Sequence, residues 1–395
     1  MAVRAVLRQV ISDLSLPRKA KVMKARDLEG LPSDDPGCAA AIMAGLGWLR
    51  RAQDQSASAD GGFARDYSLV NGWATSYPET SGYIVPTFFA ESIASNDPDL
   101  DQRARRCLDW FVSIQFPEGG FQGGRIDQLP RVPVTFNTGQ ILLGLAAGAM
   151  LDREKYLEPM RRAAAWLRDT QDTDGAWRKH STPFAEPGEK VYETHVSWGL
   201  FEADRVSPDQ GFGEAGLAQV RWALSKQQPN GWFASNCLED PSAPLTHTIG
   251  YVLRGVIEAY LWSKDRALLD AAVRTAEGLL PAIEPGGRLP GRLNKDWRSA
   301  VDWVCLTGSA QIAHCLFLLV REANRTDFRE KSKALNAYVR RSLTLTGDAD
   351  TNGGVKGSFP VHGDYGRFQY LNWACKFMID SCREELSAAT NGAVR

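Results

Sequence analysis

A glycine turn that recurs along the chain constrains its fold more than any other feature. Three copies follow the pattern Q-x3-G-x-aromatic, at 115–121, 171–177 and 227–233. Three looser copies contain the glycine pairs Gly61-Gly62, Gly286-Gly287 and Gly353-Gly354. The turn glycines stand at 61, 119, 175, 231, 287 and about 353, at intervals of 58, 56, 56, 56 and 66. This regularity indicates an internal repeat and therefore an array of similar structural units.

Each repeat has the pattern of two helices on either side of its turn. The segment before the turn is amphipathic, as at 38–53 and 156–171, whereas the segment after it is more apolar. The stretch 137–151 contains no charged residue at all. A helix without a polar face belongs in the interior, and an amphipathic helix can cover it. Six outer–inner pairs therefore predict an all-α fold, an (α/α)6 toroid in a single domain. We place an N-terminal extension at 1–37, the toroid at 38–385 and a C-terminal tail at 386–395.

The composition argues against several classes of function. The 46 Lys and Arg residues balance 47 Asp and Glu residues, so no overall positive charge favours nucleic acid or an anionic membrane. No apolar run reaches the roughly 18–20 residues of a transmembrane helix, and the first residues do not resemble a signal peptide. Seven cysteines without a CxxC pair fit a reducing compartment. We therefore expect a cytoplasmic protein with no transmembrane segment and no nucleic-acid partner.

The predicted inner helices begin with polar residues, which is unusual for segments that are otherwise apolar. In a double ring the outer-to-inner connections emerge at one end, so the N-termini of the inner helices converge there. Their free N–H groups and positive dipole ends favour an anion at this mouth. The candidate catalytic residues at these starts are Glu79, Tyr83, Glu193, His195, His247 and Tyr251.

The spacing of these residues groups some of them on one helix face. Glu79 and Tyr83 are four residues apart, as are His247 and Tyr251, so each pair projects from the same side. A structural role is the alternative: Glu79 in a first turn interacts with the helix dipole, and a histidine can be a satisfied core residue. For neighbouring residues the structural alternative is helix capping, at Asn137, Thr194 and Thr246.

Basic and aromatic residues complete the candidate site. Arginine pairs bidentately with carboxylates, and aromatic rings offer flat apolar surfaces to sugars. The candidate substrate-binding residues are Arg65, Asn137, Arg178, Trp303 and Asn372. Other basic residues of the connections, among them Arg125 and Lys356, are expected to ring the same mouth, with solvated loop charges as the alternative.

The motif Q-x3-G-x-W/F after an amphipathic helix resembles the repeat of squalene and terpene cyclases and of protein prenyltransferase β subunits. The strings YPETSGY at 77–83 and CLTGSAQ at 305–311 resemble a bacterial branch of exopolysaccharide-biosynthesis proteins that carry such repeats. The resemblance covers about 38–385. It implies a role in capsule or biofilm polysaccharide, with a polysaccharide or lipid-linked oligosaccharide as partner and an association with polysaccharide-biosynthesis machinery.

The reaction that we favour from the sequence is proton abstraction at C5 of a uronate, leading to epimerisation or β-elimination. Such a reaction needs a base, an opposing acid and groups that neutralise the developing enolate. Arg65 or Arg178 would hold the carboxylate. The residues suited to carrying the proton are Tyr83, His195, His247 and Tyr251.

Three other functions stay open. Glycoside hydrolysis would use two carboxylates, with Glu79 and Glu193 as the first choice. An isoprenoid cyclase or transferase follows from the broader resemblance, but the acidic D-x-D-D motif of the cyclases is absent. A non-catalytic ring that binds a glycan or a protein partner is the third. We predict no cofactor; the alternative is a zinc site with the irregularly spaced ligands Asp302, Cys305 and His362.

Overall fold

The computed structural model describes residues 15–392, and its helices form two concentric layers. A short helix, α1 (Arg18–Leu28), precedes the ring. The outer helices are α2 (Gly37–Asp54), α4 (Pro98–Ile114), α6 (Arg153–Asp169), α8 (Phe212–Leu224), α10 (Arg266–Leu279) and α12 (Arg329–Arg341). The inner helices are α3 (Pro78–Ser95), α5 (Thr135–Leu151), α7 (Thr194–Val206), α9 (Thr246–Ser263), α11 (Leu306–Glu322) and α13 (Asn372–Gly392).

The two layers close into a ring. Each inner helix packs against the next one, and α13 packs against α3. The first outer helix, α2, lies on the last inner helix, α13, so the chain's two ends meet. The predicted all-α (α/α)6 toroid is confirmed. No helix within residues 15–392 is both long and apolar enough to cross a membrane.

The turn glycines explain why the repeat is so regular. All six have a positive φ, between 81° and 107°, a conformation that glycine adopts without strain. The turns also lie directly against the next outer helix: a Cβ on Gly175 would stand 2.5 Å from the carbonyl oxygen of Ala218. The last turn does the same with α2, because a Cβ on Gly353 would collide with the backbone of Ala44.

The repeat glutamine ties each turn to its neighbour. Gln115 Nε2 donates to the carbonyl oxygens of Gly119, in its own turn, and Pro159, in the next outer helix, both at 2.9 Å. In the first repeat Gln53 makes the equivalent bonds to Gly61 and Arg103, at 2.9 and 3.0 Å. The first copy looks irregular in sequence because its glycine stands eight positions after its glutamine, whereas the regular copies have a spacing of four.

At the mouth, short strands join the loop that follows the first turn to the loop that follows the last turn. The strand β1 (Asp66–Ser68) pairs antiparallel with both β2 (Gly72–Trp73) and β5 (Gln369–Leu371), the latter just before α13. A second pair joins β3 (Val304–Cys305) to β4 (Ser358–Phe359). The strands fix the loops that surround the entrance to the ring.

The N-terminal extension packs on the ring from α1 onwards. Asp27 and Lys356 form a buried ion pair at 2.6 Å, and Asp27 also accepts from the backbone N–H of Val361 at 2.8 Å. Residues 1–14 of the predicted extension lie outside the described residues, as do 393–395 of the predicted tail. Helix α13 continues to Gly392, so the predicted boundary at 385 falls inside a helix.

Candidate active site

A cleft of about 230 Å³ opens at the mouth, where the inner helices begin. The first turns of α3, α5, α9 and α13 contribute to it, so the predicted convergence of helix N-termini is present. We call it the deep cleft. Its lining residues are Arg65, Tyr77, Glu79, Thr80, Phe136, Asn137, Tyr192, His247, Thr248, Tyr251, Tyr365 and Trp373, with Thr182, Phe184, Ala185, Leu238 and Glu239 from the surrounding loops.

His247 lies in the wall of the deep cleft as a neutral imidazole. Its Nδ1 is 2.7 Å from Oε1 of Gln311 on α11. An amide oxygen only accepts hydrogen bonds, so Nδ1 carries the proton and Nε2 keeps its lone pair. Nε2 has no hydrogen-bond partner among residues 15–392. Burial lowers the pKa of His247 to about 4, against a smaller opposing effect of the Gln311 bond. His247 can therefore accept a proton at neutral pH.

Glu79 is the second residue of α3, and a tyrosine two residues earlier in the chain binds its carboxyl group. Tyr77 donates its hydroxyl to Oε2 of Glu79 at 2.8 Å. Burial raises the pKa of Glu79 to about 7, while the Tyr77 bond and the charge of Arg65 act in the opposite direction. A carboxyl group with this pKa is suited to donating a proton near neutral pH.

Arg65 brings a positive charge to the same cleft. Its Nη1 is 2.7 Å from Asp66, and its guanidinium carbon lies 5.1 Å from the ring centre of Trp373 and 5.9 Å from that of Tyr77. The Nε and Nη2 atoms of Arg65 have no partner among the residues that the structure describes. This half-exposed guanidinium can therefore receive a carboxylate.

Aromatic side chains build the rest of the wall. The ring of Tyr251 is centred 4.3 Å from that of His247 and 5.0 Å from that of Phe136. Tyr365 also lies beside His247, with ring centres 5.4 Å apart, and accepts a hydrogen bond of 2.8 Å from Trp373 Nε1. Burial raises the pKa of Tyr251 well above its usual value, so its hydroxyl stays protonated.

Two predicted catalytic residues, His195 and Tyr83, are buried and do not line the deep cleft, but both lie next to Tyr251, which does. His195 is fully buried, with Nδ1 2.6 Å from Oε1 of Gln140 and with no partner for Nε2 among the described residues. Its ring centre is 4.5 Å from that of Tyr251. The hydroxyl of Tyr83 is 3.5 Å from that of Tyr251. Tyr251 thus joins both buried residues to the deep cleft.

Glu193 is buried immediately before α7 and does not line the deep cleft, although its neighbour Tyr192 does. Burial raises the pKa of Glu193 to about 8, with Lys190 opposing the change. The side chain is therefore protonated at neutral pH.

Among the predicted substrate-binding residues, Arg65 and Asn137 line the deep cleft, and Nδ2 of Asn137 has no partner among residues 15–392. The other three lie elsewhere. Arg178 is on the exterior, paired with Asp172, Asp174 and Glu189. Trp303 packs in a small cluster with Leu245 and Cys305, and Asn372 donates to the carbonyl oxygen of Ala64.

The structure does not bring the zinc candidates Asp302, Cys305 and His362 together as a metal site. Within residues 15–392, no group of three or more His, Cys, Asp and Glu side chains is arranged to hold a metal ion. Cys305 Sγ instead accepts from the backbone N–H of Gly308 at the start of α11, and burial raises its pKa to about 12.

The expected helix caps also differ from the structure. Thr194 and Thr246 are the first residues of their helices, and their hydroxyls bond to other segments: Thr194 to Tyr251 and Val252, Thr246 to Gly291. They join neighbouring elements of the ring instead of capping their own helices.

A second, larger cleft of about 510 Å³ adjoins the first and shares Arg65, Tyr77 and Phe184 with it. We call it the outer cleft. Its other lining residues are Ala57, Asp66, Ser68, Asn71, Gly72, Trp73, Ala74, Thr75, Gly124, Arg125, Gln128 and Gln369.

Several wall residues were not predicted from the sequence, and for three of them a signal was present. Tyr77, Phe136 and Trp373 stand next to residues that the helix starts had singled out. Tyr365 lies in the last connection, between the turn at Gly353 and α13, and no feature of the repeat marked it.

The closed double ring defines a class, the (α/α)6 toroids, and solved structures of this class resemble the chain. A heparin-specific unsaturated glucuronyl hydrolase superposes with a TM-score of 0.68 at 16% identity, covering 89% of this chain and 97% of that one. The unsaturated glucuronyl hydrolase of Bacillus sp. GL1 gives 0.68 at 14%, covering 87% and 96%. A D-mannose isomerase gives 0.69 at 12%, covering 90% and 99%.

The comparisons do not extend to a sequence family. No family model matches the chain, and no curated protein matches it. At these low identities the structural likeness establishes the fold alone, because toroids of this kind support different chemistries. The predicted tie to exopolysaccharide biosynthesis stays a prediction.

Proposed function

We propose that this protein is an enzyme that removes the C5 proton of a uronate unit in an anionic glycan. One observation carries the proposal: a single cleft holds a histidine with a free lone pair, a carboxyl group with a pKa of about 7 and an arginine. These are the base, the acid and the anion-binding group that the reaction needs.

The proposed base and the proposed acid come from opposite sides of the ring. Glu79 belongs to α3 and His247 to α9, which are three inner helices apart in a ring of six. The hydroxyls of Tyr83 on α3 and Tyr251 on α9 approach within 3.5 Å across the centre. A proton removed from one face of the sugar can therefore be replaced from the other, as epimerisation requires.

In this mechanism Arg65 holds the uronate carboxylate, and His247 Nε2 removes the proton at C5. The electron pair moves into the carboxylate, where the charge of Arg65 stabilises the enolate. Glu79 then returns a proton to C5 to give the epimer, or protonates the oxygen at C4 as it leaves to give an unsaturated product. Gln311 holds the other imidazole proton on Nδ1, so Nε2 is the atom that accepts the proton from C5.

The structural neighbours are consistent with a saccharide substrate. Two are glucuronyl hydrolases and one is a mannose isomerase. These activities belong to those proteins, and their bearing on this chain is part of the proposal.

Glycoside hydrolysis is the second candidate, because a carboxyl group with a pKa of about 7 is also a suitable general acid for a glycosidic oxygen. It ranks lower because Glu193, the second carboxyl group that the reaction would use, is buried and does not line the deep cleft.

The test is proton NMR of purified protein incubated with uronate-containing and neutral oligosaccharides. We expect a C5 epimer or an unsaturated uronate from the uronate substrates only, and a loss of about 100-fold or more in rate for His247→Gln. The exterior variant Arg266→Ala is the control for folding and handling. New reducing ends would favour the hydrolase, and turnover unchanged in His247→Gln would remove the proposed base.

A further inference from the structure

We propose that the outer cleft binds the sugar units next to the reacting uronate of an acidic oligosaccharide, and that a second anionic group of the ligand lies at Arg125. The inference rests on the proposed function, which puts the reacting uronate in the deep cleft. It adds the length and charge of the substrate, which the deep cleft alone does not define.

The two clefts have sizes that suit a chain instead of a free monosaccharide. The deep cleft, at about 230 Å³, is below the roughly 300 Å³ at which sites for larger ligands begin. The outer cleft adds about 510 Å³. Arg65, Tyr77 and Phe184 line both, so a chain that leaves the deep cleft past Phe184 enters the outer one directly.

Aromatic rings are already held in place along this route. Trp73 Nε1 donates to Asp350 at 3.1 Å, and the ring packs on Trp48 and Tyr67 with centres 5.3 and 5.1 Å away. Phe184 is 44% exposed. Its ring rests on the backbone of Gly124, where a Cβ would stand 2.6 Å from Phe184 Cε2. Rigid amphipathic rings bind a flat ligand face with little loss of side-chain entropy.

The charge of the outer cleft favours an anion. The carboxylate of Asp66 is paired with Arg65 at 2.7 Å. Arg125 Nε is 3.6 Å from Asp127, whose Oδ1 already accepts from the Thr75 hydroxyl at 2.6 Å. Both Nη atoms of Arg125 have no partner among the described residues, and its side chain is 43% exposed. A second carboxylate or a sulfate of the ligand would therefore find a guanidinium with its donors free.

The experiment is titration calorimetry of the full chain with three probes: D-glucuronate, a tetrasaccharide of alternating glucuronate and N-acetylglucosamine, and the neutral cellotetraose. We expect the acidic tetrasaccharide to bind at least about tenfold more tightly than D-glucuronate. Arg125→Glu should reduce that ratio to about twofold or less, because it reverses the charge at the second anionic group. Arg266→Ala and Ile93→Ala, exposed residues far from both clefts, should keep the wild-type ratio.

The outcomes separate this inference from the proposed reaction. Equal affinity for D-glucuronate and the acidic tetrasaccharide would overturn the inference. An affinity ratio that Arg125→Glu leaves unchanged, or no binding of any probe, would also overturn it. Sulfated and carboxylated tetrasaccharides distinguish the two sources of the second anion. Tighter binding of the acidic tetrasaccharide without any exchange at C5 would support the role of the outer cleft and contradict the proposed reaction. Exchange at C5 without tighter binding of the tetrasaccharide would support the reaction and contradict the role of the outer cleft.

Discussion

His247 and Glu79 have pKa values shifted in opposite directions by the same cause, the removal of water at the mouth of the ring. Burial disfavours the charged form of each group, so the pKa of the histidine falls to about 4 and that of the glutamate rises to about 7. Between these values the base is unprotonated while the acid still carries its proton. The two groups are thus in the states that proton transfer needs.

The dependence of kcat/KM on pH should follow from these two values. The rate should rise as His247 loses its proton through about pH 4 and fall as Glu79 loses its proton through about pH 7. In Gln311→Glu the new carboxylate stabilises the imidazolium, which should move the acid limb to higher pH. Gln140→Glu, which changes the partner of His195 instead, is the matched control. A profile without an acid limb near pH 4, or one moved equally by both variants, would contradict this assignment.

Glu79 should also reduce stability at alkaline pH. Its pKa in the folded protein is about 7 against 4.5 when unfolded, so the protein is stabilised below pH 4.5 and loses that stability as the pH rises to 7. Glutamine does not titrate, so the Glu79→Gln variant does not lose this stability. Its unfolding free energy relative to the wild type should therefore be about 3 kcal/mol higher at pH 8 than at pH 4. Denaturant unfolding at both pH values measures this. A difference that does not change with pH would show that Glu79 is not desolvated.

At this scale the sequence predicted several residues that line the deep cleft but not their hydrogen bonds. Glu79, His247, Tyr251, Arg65 and Asn137 were identified from their positions at helix starts and in a connection. The bond that sets the His247 tautomer comes from Gln311, 64 residues away on another inner helix. Such a partner follows from the angle and spacing of packed helices, which a single sequence does not contain.

The elements of the ring are specified mainly by the repeated turn. A turn glycine combines a positive φ with direct contact to the next outer helix, and the repeat glutamine holds the two together. Because this arrangement is local and recurs in each repeat, the spacing of the turn glycines predicted the helix pairs correctly. The strands and the outer cleft were not predicted, because they depend on contacts between connections far apart in sequence, such as β1 with β5.

The fifth turn offers a test that separates backbone strain from close contact. Gly286 and Gly287 have nearly equal φ values of 80° and 84°, but only Gly287 lies against α12, where a Cβ would collide with the carbonyl of Ala334. Gly286→Ala should cost about 1–2 kcal/mol, the strain of a positive φ. Gly287→Ala should cost at least about 2 kcal/mol more, because the turn must also move away from the helix. Equal losses in chemical denaturation would argue against this contact as the source of the repeat's regularity.

The whole molecule depends on closing the ring between its first and last repeats. Arg340 on α12 is buried and bonds to Asp35, just before α2, and to Glu385 on α13, with distances of 2.5 and 2.7 Å. It thus joins three parts of the chain that meet only when the toroid is complete. The closure was predicted from the number of repeats, whereas the residue that secures it was not.

Replacing this arginine should weaken the complete ring. Arg340→Ala leaves two carboxylates without their partner, and we expect a loss of about 3–5 kcal/mol in unfolding free energy. Arg266→Ala removes an exposed pair with Asp270 and should cost less than about 1 kcal/mol. Guanidinium unfolding followed by circular dichroism compares the two variants. A similar small loss in both would mean that the ring closes without the help of Arg340.

The central claim is that the mouth of the ring removes the C5 proton of a uronate, and isotope exchange tests it most directly. The protein is incubated in D2O with the uronate-containing tetrasaccharide, and the C5 signal is followed by proton NMR beside His247→Gln and Arg266→Ala. We predict that the C5 proton signal is lost, by deuterium incorporation or by formation of an unsaturated uronate, with the wild type and Arg266→Ala but not with His247→Gln. Retention of the C5 proton by the wild type, whether or not reducing ends appear, would contradict the claim.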